Sequence, residues 1–245
     1  MISVCLATYN GGLFIKEQLV SILSQLSEKD EIIISDDGSS DETMDIIHSF
    51  NDDRIKVLKN GRNKEGRSGH QSVSSNFENA LKNTKGDFIF LADQDDIWKE
   101  NKVKICLDHL YYYDLVLTNA EIIDRNGISM KQLLFLQNPL NNNVLTLLYR
   151  MPFYGCCLCF RKSLLTKALP FPKNLELHDN WLGLMAIIFK RNRVMYIDSP
   201  LILYRRHSNN VSGKSKNNLI FKVHYRVILL LHIVIRKFGF ISKFK

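Results

Sequence analysis

Carboxylate side chains follow two short apolar segments of the sequence, each at the point where the apolar run ends. They are Asp36, Asp37, Asp93, Asp95 and Asp96. Carboxylates brought together at one place would repel one another unless a cation lies among them. Oxygen ligands without histidine or cysteine between them favour Mg²⁺ or Mn²⁺, and such an ion commonly bridges phosphate oxygens. The spacing therefore predicts a divalent metal site that handles a phosphorylated ligand.

Some of these residues also suit a purely structural role when each is taken alone. Asp37 and Ser39 could form a turn and cap a helix, and Asp96 could cap the next helix. Two other classes of phosphate-binding protein are disfavoured because their motifs are missing. No Gly-x-Gly-x-x-Gly follows the first apolar run, which argues against a dinucleotide-dependent oxidoreductase. The sequence also lacks a Walker lysine motif, which argues against a P-loop nucleotidase.

The segments that must position the carboxylates alternate between strand and helix patterns. Strands are predicted at Ile2–Ala7, Glu31–Ser35, Ile55–Leu58 and Phe88–Ala92. Ser39 to Glu42 has the Ser-x-x-Glu shape of a capping box, which predicts a helix reaching about Phe50. This alternation predicts an α/β fold with a mostly parallel sheet between helices. Ligands bind outside the carboxyl ends of the strands in such sheets, where the carboxylates lie.

The second hundred residues carry a more mixed pattern. The predicted elements are a helix at 101–110, a strand at Leu115–Thr118, a helix at 143–148, a strand at Cys156–Arg161 and a helix at 179–190. No repeat or Pro/Gly linker separates the two parts. We therefore expect one domain over residues 1–212, with halves at 1–98 and 99–212, followed by a tail at 213–245.

The formal net charge of +8 comes entirely from the final 33 residues, which contain no acid. Residues 1–212 sum to zero, so the body is electrically balanced. A basic nucleic-acid-binding protein is the alternative class for such a chain. The neutral body and the lack of a nucleic-acid-binding motif argue against it, so no nucleic-acid partner is expected.

The tail has the pattern of a basic amphipathic helix. Its apolar run, Val227–Ile235, contains nine residues, and about 20 are needed to span a bilayer. Lys222, Arg226, Arg236 and Lys237 fall within an arc of about 100° on a helix. This pattern predicts binding of residues 213–245 to an anionic membrane surface. The alternative is a helix that packs on the body or forms an oligomer contact.

Composition and cysteine usage indicate the compartment. With 45% apolar and 24% charged residues, the chain is typical of a globular protein with a sizeable core. Met1 leads directly into an apolar strand without a basic region or cleavage site, which argues against a secretory signal. The five cysteines have no paired spacing and suit buried positions in a reducing cytosol.

Taken as a set, the motifs resemble those of family 2 glycosyltransferases with the GT-A fold. The first four are Ala7-Thr8-Tyr9-Asn10, Asp36-Asp37-Gly38-Ser39, Asn76-Phe77 and Leu91-Ala92-Asp93-Gln94-Asp95-Asp96-Ile97-Trp98. The later ones, His178-Asp179-Asn180-Trp181 and the segment from Tyr204 to Gly213, are similar to acceptor-side motifs of a bacterial branch that includes rhamnosyltransferases. The resemblance covers residues 1–213 and implies a Rossmann-like open mixed sheet flanked by helices.

The resemblance also implies roles for individual residues in sugar transfer from a nucleotide diphosphate. Thr8, Tyr9, Asn10 and Asp37 would line the nucleoside pocket, with Asp36 beside them. Asp93 and Asp95 match the Asp-x-Asp motif, in which the first approaches the ribose or a metal-bound water and the second the metal. Asp179 matches the catalytic base that deprotonates the acceptor hydroxyl.

Further residues carry alternative interpretations. The alternative for Asp179 is a helix cap, and His178 departs from the acid common in the family. Trp181 could stack on a sugar or belong to the core, and Asp96 is a second acceptor-side candidate. Arg206 and His207 match positions that reach the diphosphate or the metal, or they form a solvated basic turn. Arg62 and Arg67 are further candidates for contacting the diphosphate.

The expected protein is an inverting glycosyltransferase that depends on Mg²⁺ or Mn²⁺. It would use dTDP-rhamnose or another dTDP- or UDP-sugar and a lipid-linked oligosaccharide acceptor in surface polysaccharide synthesis. We expect it in the bacterial cytosol, peripherally on the inner face of the plasma membrane, with a homo-oligomer also open. The alternative is a catalytically silent relative that binds nucleotide sugars.

Overall fold

The computed structural model describes residues 1–61, 68–140, 143–189, 193–208, 210 and 219–241. The strands in these ranges are β1 (Ile2–Thr8), β2 (Glu31–Asp36), β3 (Ile55–Lys59), β4 (Phe88–Asp93), β5 (Ile97–Trp98), β6 (Leu115–Ile123), β7 (Ser129–Leu133), β8 (Leu158–Arg161) and β9 (Val194–Arg205). The helices are α1 (Ile15–Leu23), α2 (Thr43–Ser49), α3 (Gly69–Lys82), α4 (Lys102–Leu110), α5 (Val144–Arg150), α6 (Leu165–Ala168), α7 (His178–Phe189) and α8 (Leu219–Ile241). Short 3₁₀ turns precede β8 and α6.

All the described strands join one mixed sheet, in the order β3-β2-β1-β4-β8-β6-β9-β5, with β7 beside β6. The first four strands in this order are parallel. β8 then runs antiparallel to both β4 and β6, while β6 and β9 are parallel. The α/β class predicted from the sequence is confirmed. The carboxyl ends of β1, β2 and β4 meet at one edge, which we call the carboxyl edge.

The central strands are covered on both faces, which explains their continuous apolar runs. Val4, Leu6, Ile32 and Phe90 are fully buried, as expected for parallel strands between helices. Residues Ile15, Leu19 and Ile22 of α1 are also buried. Their helical spacing places them on one face, so the helix packs against the sheet and the turn before it stays near the carboxyl edge.

Three strands were not predicted from the sequence patterns. β5 has only two residues, β7 is exposed along its whole length, and β9 begins with half-buried positions. A short or solvated strand has no continuous apolar run, so pairing decides these assignments: β7 and β9 pair with β6, and β5 pairs with β9. All five cysteines are buried, as predicted from their apolar surroundings in the sequence.

The capping box predicted at Ser39 to Glu42 is wrong. Helix α2 begins at Thr43, and the carboxylate of Asp41 accepts hydrogen bonds from the Thr43 backbone and hydroxyl. A capping box does occur at α3, where Ser68 and Gln71 exchange hydrogen bonds. The Ser-x-x-Glu pattern failed because Ser39 is engaged by the preceding turn.

The C-terminal helix α8 packs on the body through part of its basic arc. Arg226 donates to the carbonyl oxygens of Leu148 and Tyr149, at 2.9 Å each. Arg236 donates to the carbonyls of Lys167, Leu169 and Pro170 at the end of α6. These two arginines are therefore half-buried against the body. Among the described residues, no helix combines the length and apolarity needed to cross a bilayer.

Gly86 precedes β4 at a point where the chain passes close to the backbone of β1. A Cβ there would lie 2.6 Å from the backbone nitrogen of Ser3. Gly86→Ala should lower the free energy of unfolding by about 1–3 kcal/mol because the backbone must shift. Gly61→Ala is the matched control, since a Cβ at Gly61 meets nothing within 4 Å. Equal urea midpoints for the two variants would contradict the prediction.

Candidate active site

A cavity of about 900 Å³ opens at the carboxyl edge. This volume lies within the range of sites for sizeable ligands. Eight of the candidate residues named from the sequence line it: Thr8, Tyr9, Asn10, Asp37, Asp93, Asp95, Asp179 and His207. Since these residues come from five separate segments, the cavity is a product of the tertiary fold.

Gln94 connects the ends of β1 and β4 at the cavity wall. Its Oε1 accepts hydrogen bonds from Thr8 Oγ1 at 2.7 Å and from the Tyr9 backbone at 2.8 Å. Its Nε2 donates to the Tyr9 carbonyl at 3.2 Å. The side chain therefore fixes the first loop against the Asp93-x-Asp95 segment. Sequence reasoning assigned it no role, because a glutamine between two aspartates carries no distinctive signal.

The loop after β1 is held in an uncommon conformation by Asn10. Its φ of 50° lies in the left-handed region, which asparagine tolerates better than most residues. Asn10 Oδ1 accepts from the Ser40 backbone at 2.8 Å, and Ser39 Oγ accepts from the Asn10 backbone at 2.9 Å. These contacts join the loops after β1 and β2, so the wall formed by Tyr9 and Asn10 is built from both.

Asp37 faces the cavity, whereas the neighbouring Asp36 does not line it. Asn60 donates to Asp37 Oδ1 at 3.0 Å. The carboxylate of Asp36 instead accepts from the backbone of Gly38 at 2.9 Å and from the backbone and hydroxyl of Ser39 at 3.0 and 2.5 Å. The assignment of Asp36 to nucleotide-sugar binding is therefore corrected: its oxygens stabilise the turn after β2.

The acids at the end of β4 lie close enough to perturb one another. Burial, followed by the charges of Asp95 and Asp179, raises the pKa of Asp93 to about 7. Asp95 Oδ2 lies 2.8 Å from His207 Nε2 and accepts from Asn210 Nδ2 at 3.1 Å. A cation among these groups would relieve the repulsion. The carboxylate oxygens of Asp93 and Asp95 at this part of the cavity suit Mg²⁺ or Mn²⁺, and the His207 imidazole lies beside them.

Asp96 lies behind the cavity wall, which corrects its assignment to the acceptor side. It is buried, and its Oδ1 accepts from the Arg205 backbone at 3.0 Å. Ligand atoms of Asp93, Asp96 and Cys156 also come within 4.8 Å of one another. Hard divalent ions prefer oxygen to thiolate sulfur, so the Asp95 side suits Mg²⁺ or Mn²⁺ better than this cluster does.

Arg205, at the end of β9, anchors the acid segment from behind. Its Nε donates to the Asp95 carbonyl at 2.9 Å, and its Nη2 forms an ion pair with Glu17 Oε2 at 2.5 Å. The guanidinium also lies 4.9 Å from the centre of the Phe14 ring. The side chain is buried, so it offers no direct contact to a ligand. Its effect is to hold the Asp95 backbone in place.

Asp179 occupies the first turn of α7 and lines the cavity. Burial raises its pKa to about 6, against hydrogen bonds from Asn180 and Gly155. Asn180 donates from its backbone to Asp179 Oδ1 at 2.7 Å, and its Nδ2 also donates to the Phe153 carbonyl at 3.1 Å. A carboxylate with this pKa is charged at neutral pH and is a competent proton acceptor.

His178 fills the position of the acid that the resemblance leads one to expect. Its ring stacks on Phe77 with centroids 4.2 Å apart, and Nδ1 lies 3.5 Å from Ser74 Oγ. Burial, with a smaller effect of His70, lowers the pKa of His178 to about 3, so the imidazole is neutral at pH 7. It therefore adds no charge beside Asp179.

The remaining candidates lie away from the cavity or outside the described residues. Trp181 is 0% exposed and donates to the Ala168 carbonyl at 2.9 Å, so its assignment to the acceptor side is corrected to a core residue. Arg206 is exposed, does not line the cavity, and donates its backbone N–H to Ile123. Arg62 and Arg67 lie outside the described residues.

An open mixed sheet with an acid pair at the end of an inner strand and a cavity at the carboxyl edge defines the GT-A class of fold. A crystal structure of S. aureus TarS 1–349 in complex with UDP-GlcNAc matches with a TM-score of 0.70 and 21% identity, over 94% of this chain and 66% of that one. The family model described as Glycosyl transferase family 2 matches residues 3–166. The chain belongs to this family and is a glycosyltransferase, which confirms the resemblance.

Other relatives extend the match over most of the chain. A dTDP-rhamnosyl transferase, RfbG, of Shigella flexneri is 31% identical over 90% of this chain and 77% of its own length. An Escherichia coli UDP-Glc:alpha-D-GlcNAc-diphosphoundecaprenol beta-1,3-glucosyltransferase, WfaP, is 28% identical over 96% and 93%. M. tuberculosis glucosyl-3-phosphoglycerate synthase, solved with Mn²⁺, UDP and phosphoglyceric acid, matches with a TM-score of 0.60 and 19% identity, over 92% of this chain and 78% of that one.

The buried His178 makes stability depend on pH. Its folded pKa of about 3 lies below the usual value of 6.5, so the unfolded chain binds more protons between these values. Stability therefore falls as the pH drops below about 6.5. Relative to His178→Phe, the wild type should lose about 1.4 kcal/mol of unfolding free energy between about pH 7.5 and 5.5 in urea titrations. Identical pH dependence in the two proteins would contradict a buried neutral imidazole.

Proposed function

We propose that this protein transfers a sugar from a dTDP- or UDP-sugar to a hydroxyl of a lipid-linked acceptor, with inversion at the anomeric carbon and dependence on Mg²⁺ or Mn²⁺. One observation carries the proposal. Asp37, the Asp93–Asp95 pair and Asp179 line the same cavity of about 900 Å³, although they lie far apart in the sequence. A base-recognition group, a metal-binding pair and a proton acceptor are thus available to one extended ligand.

The nucleoside binds at the loops after β1 and β2. Asp37 accepts a hydrogen bond from the ring N–H of a pyrimidine, while Asn60 orients its carboxylate from behind. The loop from Thr8 to Asn10 forms the adjoining wall, held by Gln94. Uracil and thymine present the same ring N–H, so this contact accommodates both UDP and dTDP.

The diphosphate lies against the acids at the end of β4. Asp95, Asp93 and His207 would hold the divalent ion, which when bound would offset the negative charge that develops on the leaving diphosphate. Arg205 holds the Asp95 backbone through a hydrogen bond to its carbonyl. Arg206 follows β9 and acts electrostatically on the cavity residue Tyr154, although it does not line the cavity.

Asp179 acts as the general base. Its carboxylate takes the proton of the acceptor hydroxyl while that oxygen bonds to the anomeric carbon. The bond from this carbon to the diphosphate oxygen breaks, and its electron pair leaves with the nucleoside diphosphate. A single displacement inverts the anomeric centre and needs no second carboxylate nucleophile. Asn180 holds Asp179 for this step through its bond to Phe153.

Aromatic residues other than Trp181 are available for the acceptor sugar. Tyr154 and Tyr225 line the cavity, and Asp179 acts electrostatically on both. Amphipathic rings of this kind pack on sugar faces while their hydroxyls form hydrogen bonds. The printed names of RfbG and WfaP support a dTDP- or UDP-sugar donor, and that of WfaP supports a diphosphoundecaprenol-linked acceptor. dTDP-rhamnose is one such donor, and the setting is surface polysaccharide synthesis at the inner face of a bacterial membrane.

Removal of the base should separate transfer from binding. Asp179→Asn should lower the rate of transfer about 10²–10⁴-fold, because no carboxylate takes the acceptor proton. Affinity for UDP, measured by calorimetry with Mn²⁺, should stay close to that of the wild type. Asp108→Asn changes an exposed acid on α4 and is the control. Full transfer activity in Asp179→Asn would exclude this residue as the base.

Substitutions of the adjacent residues Asp36 and Asp37 should affect different properties, stability for the first and UDP affinity for the second. Asp37→Ala should weaken UDP binding about tenfold or more in calorimetry, because a hydrogen bond to a charged group is lost. Asp36→Ala should mainly lower the free energy of unfolding, by about 1–3 kcal/mol, since three donors in the turn lose their acceptor. Similar losses of affinity and stability in both variants would contradict this division.

A further inference from the structure

The outward face of α8 carries a stripe of large apolar side chains. We call it the outer stripe; its members are Val223, Val227, Leu231, Val234, Ile235 and Phe238, each between 42% and 64% exposed. At 100° per residue they cover an arc of about 120°. A contiguous apolar surface of this kind on a folded body indicates a binding face.

The outer stripe is not needed to hold α8 on the body. Leu229 and Ile233, on the opposite side of the helix, are buried. Arg226 and Arg236 flank them and donate to backbone carbonyls of the body. Packing is thus complete on one side of α8, while the outer stripe faces solvent.

We propose that the outer stripe of α8 inserts into the interfacial layer of an anionic lipid bilayer. The proposal deepens the proposed function, because it rests on an acceptor that is anchored in lipid. It differs from the expectation drawn from the sequence, in which basic side chains held the tail on the membrane. Apolar immersion contributes most of the binding, and basic side chains such as Lys237 add attraction to acidic headgroups.

Charge favours lipid over a second copy of the chain as the partner. The final 33 residues contain eight Lys and Arg and no acid, so pairing two such helices would bring like charges together. Lys237 is exposed beside the outer stripe. An arc of about 120° is also broader than the narrow seam of a coiled coil. An anionic bilayer complements both the charge and the apolar width.

The position of α8 beside the cavity explains how contact between the outer stripe and a bilayer would serve sugar transfer. Tyr225 and Arg226 line the cavity, while Val223 and Val227, their neighbours on the helix, belong to the outer stripe. On α5, Leu145 and Tyr149 add exposed apolar surface close to Arg226. A bilayer on the outer stripe therefore lies beside the cavity. The sugar of a lipid-linked acceptor can then approach Asp179 while its hydrocarbon chain stays in the membrane.

The test replaces the outer stripe without touching the docked side of α8. The variant Leu231→Gln, Ile235→Gln, Phe238→Gln is compared with Val20→Gln, Ile128→Gln, Leu136→Gln, which removes three exposed apolar side chains elsewhere. Binding to vesicles of phosphatidylglycerol and phosphatidylethanolamine is measured by flotation. We expect about a hundredfold weaker binding in the first variant and wild-type binding in the second.

Salt distinguishes immersion from adsorption of basic side chains. Wild-type binding should persist when NaCl rises from about 0.1 M to about 1 M, where surface charges are screened. Complete loss at high salt, or unchanged binding of the outer-stripe variant, would overturn the proposal. A wild-type dimer in sedimentation that becomes monomeric in this variant, without vesicle binding by either, would instead assign the stripe to self-association.

A probe on the helix tests the contact directly. All five native cysteines are buried, so Ile235→Cys can be labelled selectively with an environment-sensitive dye. Its emission should shift to the blue on adding vesicles, while a dye at Leu136→Cys should not change. UDP calorimetry on the same proteins separates the two proposals. Vesicle binding without UDP binding would overturn only the proposed function, and UDP binding without vesicle binding only the membrane contact.

Discussion

Repulsion among carboxylates at the carboxyl edge is the constraint on which the rest of this structure depends. Asp93, Asp95, Asp96 and Asp179 lie near one another in surroundings of low polarity, and the pKa values of Asp93 and Asp179 rise to about 7 and 6. Such a group is costly in a folded protein unless other contacts offset it. The protein offsets it with donors on Asp95, Asp96 and Asp179, and Asp93, Asp95 and Asp179 border the open cavity.

The sheet supplies those contacts. Parallel pairing brings the ends of β1, β2 and β4 to one edge, and Gln94 joins the first and last of them. β9 then returns beside β6 and brings Arg205 against the Asp95 carbonyl and the Asp96 carboxylate. The elements least visible in the sequence thus hold the most strongly charged part of the site.

Much of the site could be predicted because its residues follow buried strands. A run such as Phe88–Ala92 indicates a strand, and the polar residues after it must lie at the carboxyl edge. The assignments that the structure corrects concern the direction in which a side chain points. Asp36, Asp96 and Trp181 belong to motifs, yet each side chain points into a turn or the core. Sequence spacing places a residue on an edge or a helix, but packing decides which side it faces.

The tail illustrates the same limit. The motifs indicated the family by resemblance. Composition and periodicity by themselves determined the α/β class, the carboxylate-bearing strand ends and the presence of an amphipathic basic helix. These features depend on the secondary-structure preferences of neighbouring residues and on the period of the apolar residues, both of which can be read from the sequence. Only the tertiary structure decided that Arg226 and Arg236 face the body and that an apolar stripe faces outward. That choice depends on which backbone carbonyls at the ends of α5 and α6 lie beside the helix, and these carbonyls belong to segments distant in the sequence.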